Sequence, residues 1–202
     1  MAAGRQAPRR LPAVTERPEG LVYRPDFVNE EEERALVADF ETWDFEEVRM
    51  HGQAARRTVV HFGYRYGYES WQLVPTDPLP TTAEWLRDRA AALAGIEPAE
   101  VAETLVTRYP PGAGIGWHRD SPRFGPKVVG ISLLSPCPLR FQRRWPDERR
   151  VFALDLEPRS AYVLAGAARW SWQHSIPMTT ALRYSVTFRT LAREAGKAGA
   201  DR

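Results

Sequence analysis

The sequence contains a single cysteine, Cys137, and no long apolar run. One thiol cannot form an internal disulfide, which excludes a disulfide-stapled secreted domain and favours a reducing, cytoplasmic location. No segment approaches the roughly 20 apolar residues that a membrane-spanning helix needs, so we expect no membrane span. With 43% hydrophobic and 27% charged residues in a chain of 202, the composition is typical of one soluble domain with a full core.

Lysine is also scarce: Lys127 and Lys197 are the only two, and arginine supplies nearly all of the positive charge. The formal net charge of +2 neither demands nor excludes a nucleic-acid partner, because phosphate binding depends on local basic patches. The chain has no acidic residue before Glu16, and this stretch is rich in Arg, Pro and Ala, which favours disorder over a transit peptide. The predicted segments are a disordered tail over 1–18, one domain over 19–193 and a C-terminal tail over 194–202.

Two stretches have the periodicity of amphipathic helices. Asn29 offers an N-cap for the first helix, and the four acidic residues at 30–33 suit the positive end of a helix dipole. For the second helix, Thr81 and Glu84 match a capping box, and Gly95 is placed to end it. We therefore interpret the acidic run as helix chemistry and not as a metal site.

Short stretches with strand character dominate the rest of the sequence. The predicted strands are 104–109, 128–134, 139–142, 151–156, 161–164, 169–174 and 183–191. About seven short strands separated by Gly and Pro turns predict a mainly β fold with flanking helices (α+β), in which two helices pack outside an all-β sandwich or barrel.

The glycine-rich segment 111–116 lacks the Gly-Lys-Ser/Thr that would complete a phosphate-binding loop, and a strand pattern follows it instead of a helix. We interpret this segment as a turn that presents His118. His118 and Asp120 are two residues apart, so both side chains project from the same face of an extended chain. Together with His174, they supply the two histidines and one carboxylate of a facial triad that holds iron(II) and leaves positions open.

Polar and apolar residues alternate over 183–189. One strand face carries Arg183, Ser185, Thr187 and Arg189. Two arginines on an interior face would be costly unless an anion met them, and guanidinium is well suited to bind a carboxylate. A small dicarboxylate with one end on the iron and the other on an arginine meets this need. Because the arginines lie about 20 Å apart along an extended strand, they cannot both bind the far carboxylate.

Basic and aromatic residues are interleaved over 56–71. Those that we consider for substrate binding are Arg56, Arg57, Tyr64, Tyr66 and Trp71. Such residues can contact phosphates and stack on bases. A β-hairpin whose aromatic side chains pack on the core would show the same pattern, and the sequence leaves both interpretations open.

These motifs, in this order, resemble the AlkB family of iron(II)/2-oxoglutarate dioxygenases. The matching motifs are Tyr-x-x-Gly at 109–112, His-x-Asp at 118–120, His174 and Arg-x5-Arg at 183–189. The resemblance runs roughly from Leu21 to Leu191 and implies a double-stranded β-helix, or jelly-roll, core. The implied roles are Fe(II) ligation by His118, Asp120 and His174, binding of the distal carboxylate of 2-oxoglutarate by Tyr109 and Arg183, and further co-substrate contacts from Arg189, Thr107 and Ser185.

The resemblance implies oxidative demethylation of alkylated DNA or RNA bases, with 2-oxoglutarate and O2 as co-substrates and succinate, CO2 and formaldehyde as products. Nucleic acid would be a transient partner, and we expect a monomer. Two positions depart from the family pattern: Thr107 replaces a common asparagine, and Pro122 replaces an aspartate that helps to recognise the damaged base. The segment 56–68 resembles more closely a subgroup that includes a tRNA-modifying member. The alternatives are a 2-oxoglutarate-dependent hydroxylase of a tRNA base, protein side chain or small molecule, and a non-catalytic metal-binding β-sandwich.

Overall fold

Thirteen strands and three α-helices are formed by the residues that the computed structural model describes, which are 13–50, 53–66 and 73–192. The strands are β1 (Ala13–Thr15), β2 (Leu21–Arg24), β3 (Glu46–Met50), β4 (Gln53–Tyr66), β5 (Leu73–Pro75), β6 (Val101–Tyr109), β7 (Ile115–His118), β8 (Phe124–Leu133), β9 (Cys137–Arg144), β10 (Arg149–Leu156), β11 (Ser160–Leu164), β12 (Gln173–Ile176) and β13 (Arg183–Leu191). The helices are α1 (Glu30–Phe40), α2 (Thr81–Ala94) and α3 (Gly166–Trp170). None of these helices is long and apolar enough to cross a membrane.

The strands form two sheets that pack against each other. The smaller sheet has the order β1-β10-β9-β12-β7, and the larger has the order β2-β11-β8-β13-β6-β4-β3, with β5 paired to β4. Pairing between the described strands is antiparallel except between β1 and β10. This arrangement confirms the predicted mainly β fold with flanking helices and a jelly-roll core.

Strand β1 lies inside the stretch 1–18 that composition predicts to be a disordered tail. It pairs with the first three residues of β10, and an ion pair between Glu16 and Arg150 follows directly after it. A strand of three residues has too little alternation to be recognised in a sequence. Regular structure therefore begins before the predicted domain boundary, whereas residues 1–12 and 193–202 lie outside the described part of the chain.

The two longer helices begin differently. Asn29 caps α1 as predicted: its side chain accepts from the backbone N–H of Glu32, whose carboxylate accepts in turn from the backbone N–H of Asn29. The capping box predicted at Thr81 is wrong, because Thr81 is already helical and the cap is Pro80, which has no side-chain acceptor. Gly95 ends α2 in the left-handed conformation, at φ 60°, as predicted.

The predicted strand 169–174 is wrong in its first half, because α3 extends to Trp170 and β12 begins only at Gln173. Aromatic and polar residues alternate in this segment, which is the pattern typical of a strand. Gly166, at φ 50°, instead turns the chain into a short helix that buries the side chain of Arg169. Tertiary contacts of Arg169 thus outweigh the local pattern.

The large sheet separates an apolar core from a polar interior. On β13, the side chains of Tyr184, Val186 and Phe188 pack with α1 and α2 in one apolar cluster. The residues between them on β13 face the space between the two sheets, which confirms the predicted alternation. A second apolar cluster, which includes Leu139 and Trp172, joins the two sheets. The candidate site lies in this inter-sheet space.

Candidate active site

Strand pairing brings the three predicted metal ligands together. β7 and β12 are neighbours in the small sheet, and His118 pairs directly with His174. Asp120 follows His118 by two residues, where the chain leaves β7. One possible ligand atom from each of the three side chains lies within 4.8 Å of the other two, and the imidazole centroids are 4.3 Å apart. The three side chains thus converge as a facial triad requires.

Burial and charge set the protonation of these three side chains. Burial lowers the pKa of His174 to about 4 and also lowers the pKa of His118. Both imidazoles are therefore neutral at pH 7 and retain a lone pair for a metal. Burial alone would raise the pKa of Asp120, but the positive charge of Arg189 holds it well below its usual range. An ionised carboxylate and two neutral imidazoles form a donor set that fits Fe(II).

Neighbouring polar groups orient these ligands. His118 Nδ1 lies 2.9 Å from the carbonyl oxygen of Gly116, and donation to that oxygen leaves Nε2 for the metal. Asp120 Oδ1 accepts a hydrogen bond of 2.8 Å from Arg189 Nη2, whereas Oδ2 lies 3.9 Å from His174 Nε2. Asp120 therefore turns one oxygen toward His174 and the other toward Arg189.

Arg169 supports the same loop from behind, and sequence reasoning did not identify it. Its guanidinium donates to the backbone carbonyls of Asp120, Ser121, Phe124 and Gly125 at 2.8 to 3.2 Å. All four acceptors belong to the segment that carries the Asp120 carboxylate, so Arg169 fixes the backbone of this ligand. Its role depends on the docking of α3 against β8, which the linear sequence does not reveal.

Arg183 is a fully buried arginine with unused donors. Its Nε donates to Ser132 Oγ at 3.1 Å, and its Cζ lies 5.2 Å from the centroid of the Tyr109 ring. Among the described residues, neither Nη1 nor Nη2 has a hydrogen-bond partner. A buried guanidinium with two unpaired nitrogens is costly, and its planar fork matches the two oxygens of a carboxylate. The surroundings of Arg183 therefore fit the distal carboxylate of 2-oxoglutarate.

A cavity of about 680 Å³ lies between the sheets, next to the triad. Its walls include the triad together with Thr107, Tyr109, Ser185, Thr187 and Arg189. Thr107 and Ser185 are buried and lie opposite each other on β6 and β13. The volume is within the range of roughly 300 to 1,000 Å³ that small-molecule sites occupy. The predicted co-substrate residues are thus brought together, with Arg183 beside Tyr109 behind the cavity wall, and their roles stay predictions.

The predicted substrate residues are divided between the two faces of β4. Arg57 lines the cavity, as do Val59 and His61, whereas the described cavity wall includes neither Arg56 nor Tyr64. Side chains alternate along a strand, so odd-numbered and even-numbered residues of β4 point to opposite faces. The hypothesis that Arg56 and Tyr64 contact substrate in this cavity therefore has no support from their positions. The side chain of Tyr66 and all of Trp71 lie outside the described residues.

Two further polar residues at the site escaped the sequence analysis. Glu103 is fully buried, accepts from Arg189 Nη1 at 2.7 Å and lies 3.0 Å from His61 Nδ1. Tyr162 lines the cavity, and burial raises its pKa, so its hydroxyl stays protonated. Gly130 lies opposite Tyr162, where an added Cβ would be only 2.2 Å from the phenol ring. In the sequence, Glu103 and Tyr162 could have been recognised as polar groups within mostly apolar strands.

Comparison with known proteins gives the family of this chain. Residues 20–189 match the model of the 2OG-Fe(II) oxygenase superfamily. The chain is 30% identical over 158 residues to the alpha-ketoglutarate-dependent dioxygenase AlkB of Escherichia coli (strain K12), a match that covers 68% of this chain and 69% of that protein. It is 29% identical over 170 residues to the tRNA (carboxymethyluridine(34)-5-O)-methyltransferase ALKBH8 of Macaca fascicularis. That match covers 79% of this chain but only 24% of the length of the macaque protein.

A solved structure gives independent support for the fold. OsALKBH1 matches with a TM-score of 0.65 over 87% of this chain and 98% of the OsALKBH1 chain, at 18% sequence identity. The superfamily match spans the jelly-roll core and all three residues of the converging triad. This chain therefore belongs to the AlkB-like family of the 2OG-Fe(II) oxygenase superfamily.

Proposed function

We propose that this chain is an Fe(II)- and 2-oxoglutarate-dependent dioxygenase that removes methyl groups from alkylated bases of DNA or RNA. The observation that carries the proposal is the combination of two features, one on the wall of the cavity and one behind that wall, next to Tyr109. One is the convergence of His118, Asp120 and His174 within 4.8 Å. The other is the buried guanidinium of Arg183, whose Nη atoms have no partner among the described residues. A metal site, and an unpaired guanidinium on the same face of β13 as the cavity-lining Ser185 and Thr187, suit a chelating keto acid.

The protein residues would hold and orient the reactants. When bound, Fe(II) with 2-oxoglutarate supplies the oxidising chemistry, in which O2 converts 2-oxoglutarate to succinate and CO2 and hydroxylates a substrate C–H bond. The triad would hold the metal at one wall of the cavity. Arg183 and Tyr109 would bind the distal carboxylate of the co-substrate. A hydroxylated N-methyl group releases formaldehyde and leaves the base with an N–H.

Several features support a nucleic-acid substrate. Arg57 and Arg65, both on β4, line the cavity. Trp117, directly before the ligand His118, is 39% exposed and also lines the cavity, with the Arg140 guanidinium 5.4 Å from its ring centroid. An exposed indole beside a reaction centre is suited to stack on an unpaired or flipped base. Relatives of this chain carry names that refer to tRNA and to alkylated DNA repair.

One observation favours a second candidate function. Pro122 is exposed and has no side-chain hydrogen-bonding group for a base edge, at the position where the AlkB family often has an aspartate. A 2-oxoglutarate-dependent hydroxylase of a tRNA base, protein side chain or small molecule would keep the triad and Arg183 without needing that contact.

Purified protein tests the proposal in an assay with Fe(II), 2-oxoglutarate and O2. Succinate and formaldehyde are measured with and without oligonucleotides that contain 1-methyladenine or 3-methylcytosine, beside the variant His118→Ala. We expect both products to rise together with the methylated oligonucleotide and to be absent in the variant, because His118 supplies one of three metal ligands.

The alternatives give different outcomes in the same assay. Succinate that does not depend on the oligonucleotide, is formed without formaldehyde and is lost in His118→Ala would support the second candidate. Metal binding without any succinate would contradict both and support a non-catalytic metal-binding protein. A nucleic-acid affinity that does not fall with salt would also argue against a nucleic-acid substrate.

A further inference from the structure

Glu103 is a carboxylate in the middle of the large sheet and is fully buried. It lies on β6, directly opposite Arg189 of β13 on one side and Gly63 of β4 on the other. Because Gly63 has no side chain, the nearest β4 side chain on this face is His61, two residues earlier. Burial of a carboxylate is costly unless it is paired, so the contacts of Glu103 require explanation.

These contacts link four side chains in series, from His61 to Asp120. His61 Nδ1 lies 3.0 Å from Glu103 Oε1, and Arg189 Nη1 donates to Glu103 Oε2 at 2.7 Å. Arg189 Nη2 donates in turn to Asp120 Oδ1 at 2.8 Å. One end of this series, His61, lines the cavity, and the other end is a candidate metal ligand.

We infer that Glu103 is a positioning residue for the metal site: it holds Arg189 between two carboxylates, so that Asp120 keeps one oxygen for the metal. The inference rests on the proposed function, because it assigns Glu103 a role toward the metal. Arg189 divides its two Nη groups between Glu103 and Asp120. Loss of the Glu103 charge would remove one of the two carboxylates to which Arg189 donates. The guanidinium would then attract the Asp120 carboxylate more strongly and compete with the metal for it.

Whereas Arg189 donates to Oε2 of Glu103, His61 contacts Oε1. Its side chain is 13% exposed, whereas that of Glu103 is 0% exposed. A substrate that lies against β4 would therefore contact His61 without reaching Glu103. His61 thus separates the cavity from Glu103, which does not itself line it.

Cobalt binding tests this role without the need for turnover. Co(II) is titrated into the metal-free protein and followed by its visible absorption bands, for wild type, Glu103→Gln and the matched control Glu33→Gln. Glu33 is also buried, on α1, and accepts hydrogen bonds from Arg159 Nη1 and the backbone N–H of Leu134. We expect Glu103→Gln to bind Co(II) roughly tenfold more weakly, with shifted bands, as loss of an outer-shell partner of a metal ligand does. Glu33→Gln should keep the wild-type affinity and bands.

A second pair of variants tests the contribution of His61. His61→Gln retains a side-chain donor for Glu103, whereas His61→Leu does not. We expect the first to bind Co(II) like wild type and the second to bind it roughly threefold more weakly, because it weakens an outer-shell partner only indirectly.

The outcomes separate this inference from the proposed function. Wild-type protein that binds no Co(II) would contradict the proposed function. Wild-type binding with equal affinity and identical bands in Glu103→Gln would overturn the inference alone. Equal losses of affinity in Glu103→Gln and Glu33→Gln would also overturn it, since the effect would then follow from general destabilisation.

Discussion

Arg183 and Arg189 begin and nearly end the same strand, β13, and their side chains project from the same face into the protein interior. The structure gives them opposite surroundings. Arg189 donates to Glu103 and Asp120, two buried carboxylates. Arg183 meets the hydroxyl of Ser132 and the ring of Tyr109, and its Nη atoms have no partner among the described residues.

This difference indicates that Arg189 stabilises the surrounding structure, whereas Arg183 has donors available for a ligand. A buried guanidinium between two carboxylates stabilises the fold around it, because removal would leave two buried carboxylates without their shared cation. A buried guanidinium without an anion destabilises the unliganded protein, and a bound carboxylate removes that cost. We therefore expect Arg189 to act mainly on stability and metal binding, and Arg183 to act mainly on binding of 2-oxoglutarate.

The largest expected effect is on stability, in Arg189→Met. Methionine keeps the apolar volume but leaves Glu103 and Asp120 without their shared cation. We expect the free energy of unfolding to fall by about 3 to 5 kcal/mol, the usual cost of breaking a buried ion pair from one side. Denaturant unfolding of the metal-free protein, followed by tryptophan fluorescence, measures this change.

The same substitution at the other end of the strand is the control. Arg183→Met removes a charge that has no anionic partner in the described structure, so the free energy of unfolding should fall by less than about 1 kcal/mol or rise. Equal destabilisation by the two variants would remove the distinction between the two arginines.

The second-largest expected effect is on the affinity for 2-oxoglutarate, in the variant Arg183→Met. Loss of the charged hydrogen bonds to the distal carboxylate should weaken 2-oxoglutarate binding by about 2 kcal/mol or more, which corresponds to roughly thirtyfold. Calorimetric titration of 2-oxoglutarate into Mn(II)-loaded protein measures the dissociation constant. Arg183→Lys keeps the charge without the planar fork and should lie between Met and wild type. An unchanged dissociation constant in Arg183→Met would contradict the assignment of this residue to the co-substrate.

Local chemistry explains what could be predicted from the sequence. The spacing of His118 and Asp120 already requires both side chains to lie close together, and alternation along 183–189 already separates the two faces of β13. The placement of His174 opposite His118 agrees with the motif order. These features depend on residues that are close in the chain or on a motif that spans the whole domain.

Cross-strand partners could not be predicted in the same way. Glu103 meets Arg189 only because β6 and β13 pair in one particular register. Arg169 reaches the Asp120 loop only because α3 docks on β8. Alternation along β4 was available in the sequence and would have separated Arg57 from Arg56, but a composition-based interpretation of the segment grouped them together.

The smallest expected effect concerns the contribution of Thr107 to the affinity for 2-oxoglutarate. Thr107 lines the cavity on β6, opposite Ser185, at the position where the AlkB family often has an asparagine that contacts 2-oxoglutarate. Thr107→Val has nearly the same shape and removes only the hydroxyl. If the hydroxyl donates to the co-substrate, affinity for 2-oxoglutarate should fall by about 0.5 kcal/mol, or roughly twofold, in the same titration.

Thr104→Val provides the matched control for this change. Thr104 is also buried on β6, but it lies three positions before Thr107, so its side chain points to the opposite face, away from the cavity. We expect its loss of a hydroxyl to leave the affinity for 2-oxoglutarate unchanged. Because both variants remove one buried hydroxyl from one strand, any difference between them reports on the co-substrate and not on the fold. Equal affinities in both variants would mean that Thr107 does not replace the asparagine contact, and the distal carboxylate would then depend on the Arg183 end of the site alone.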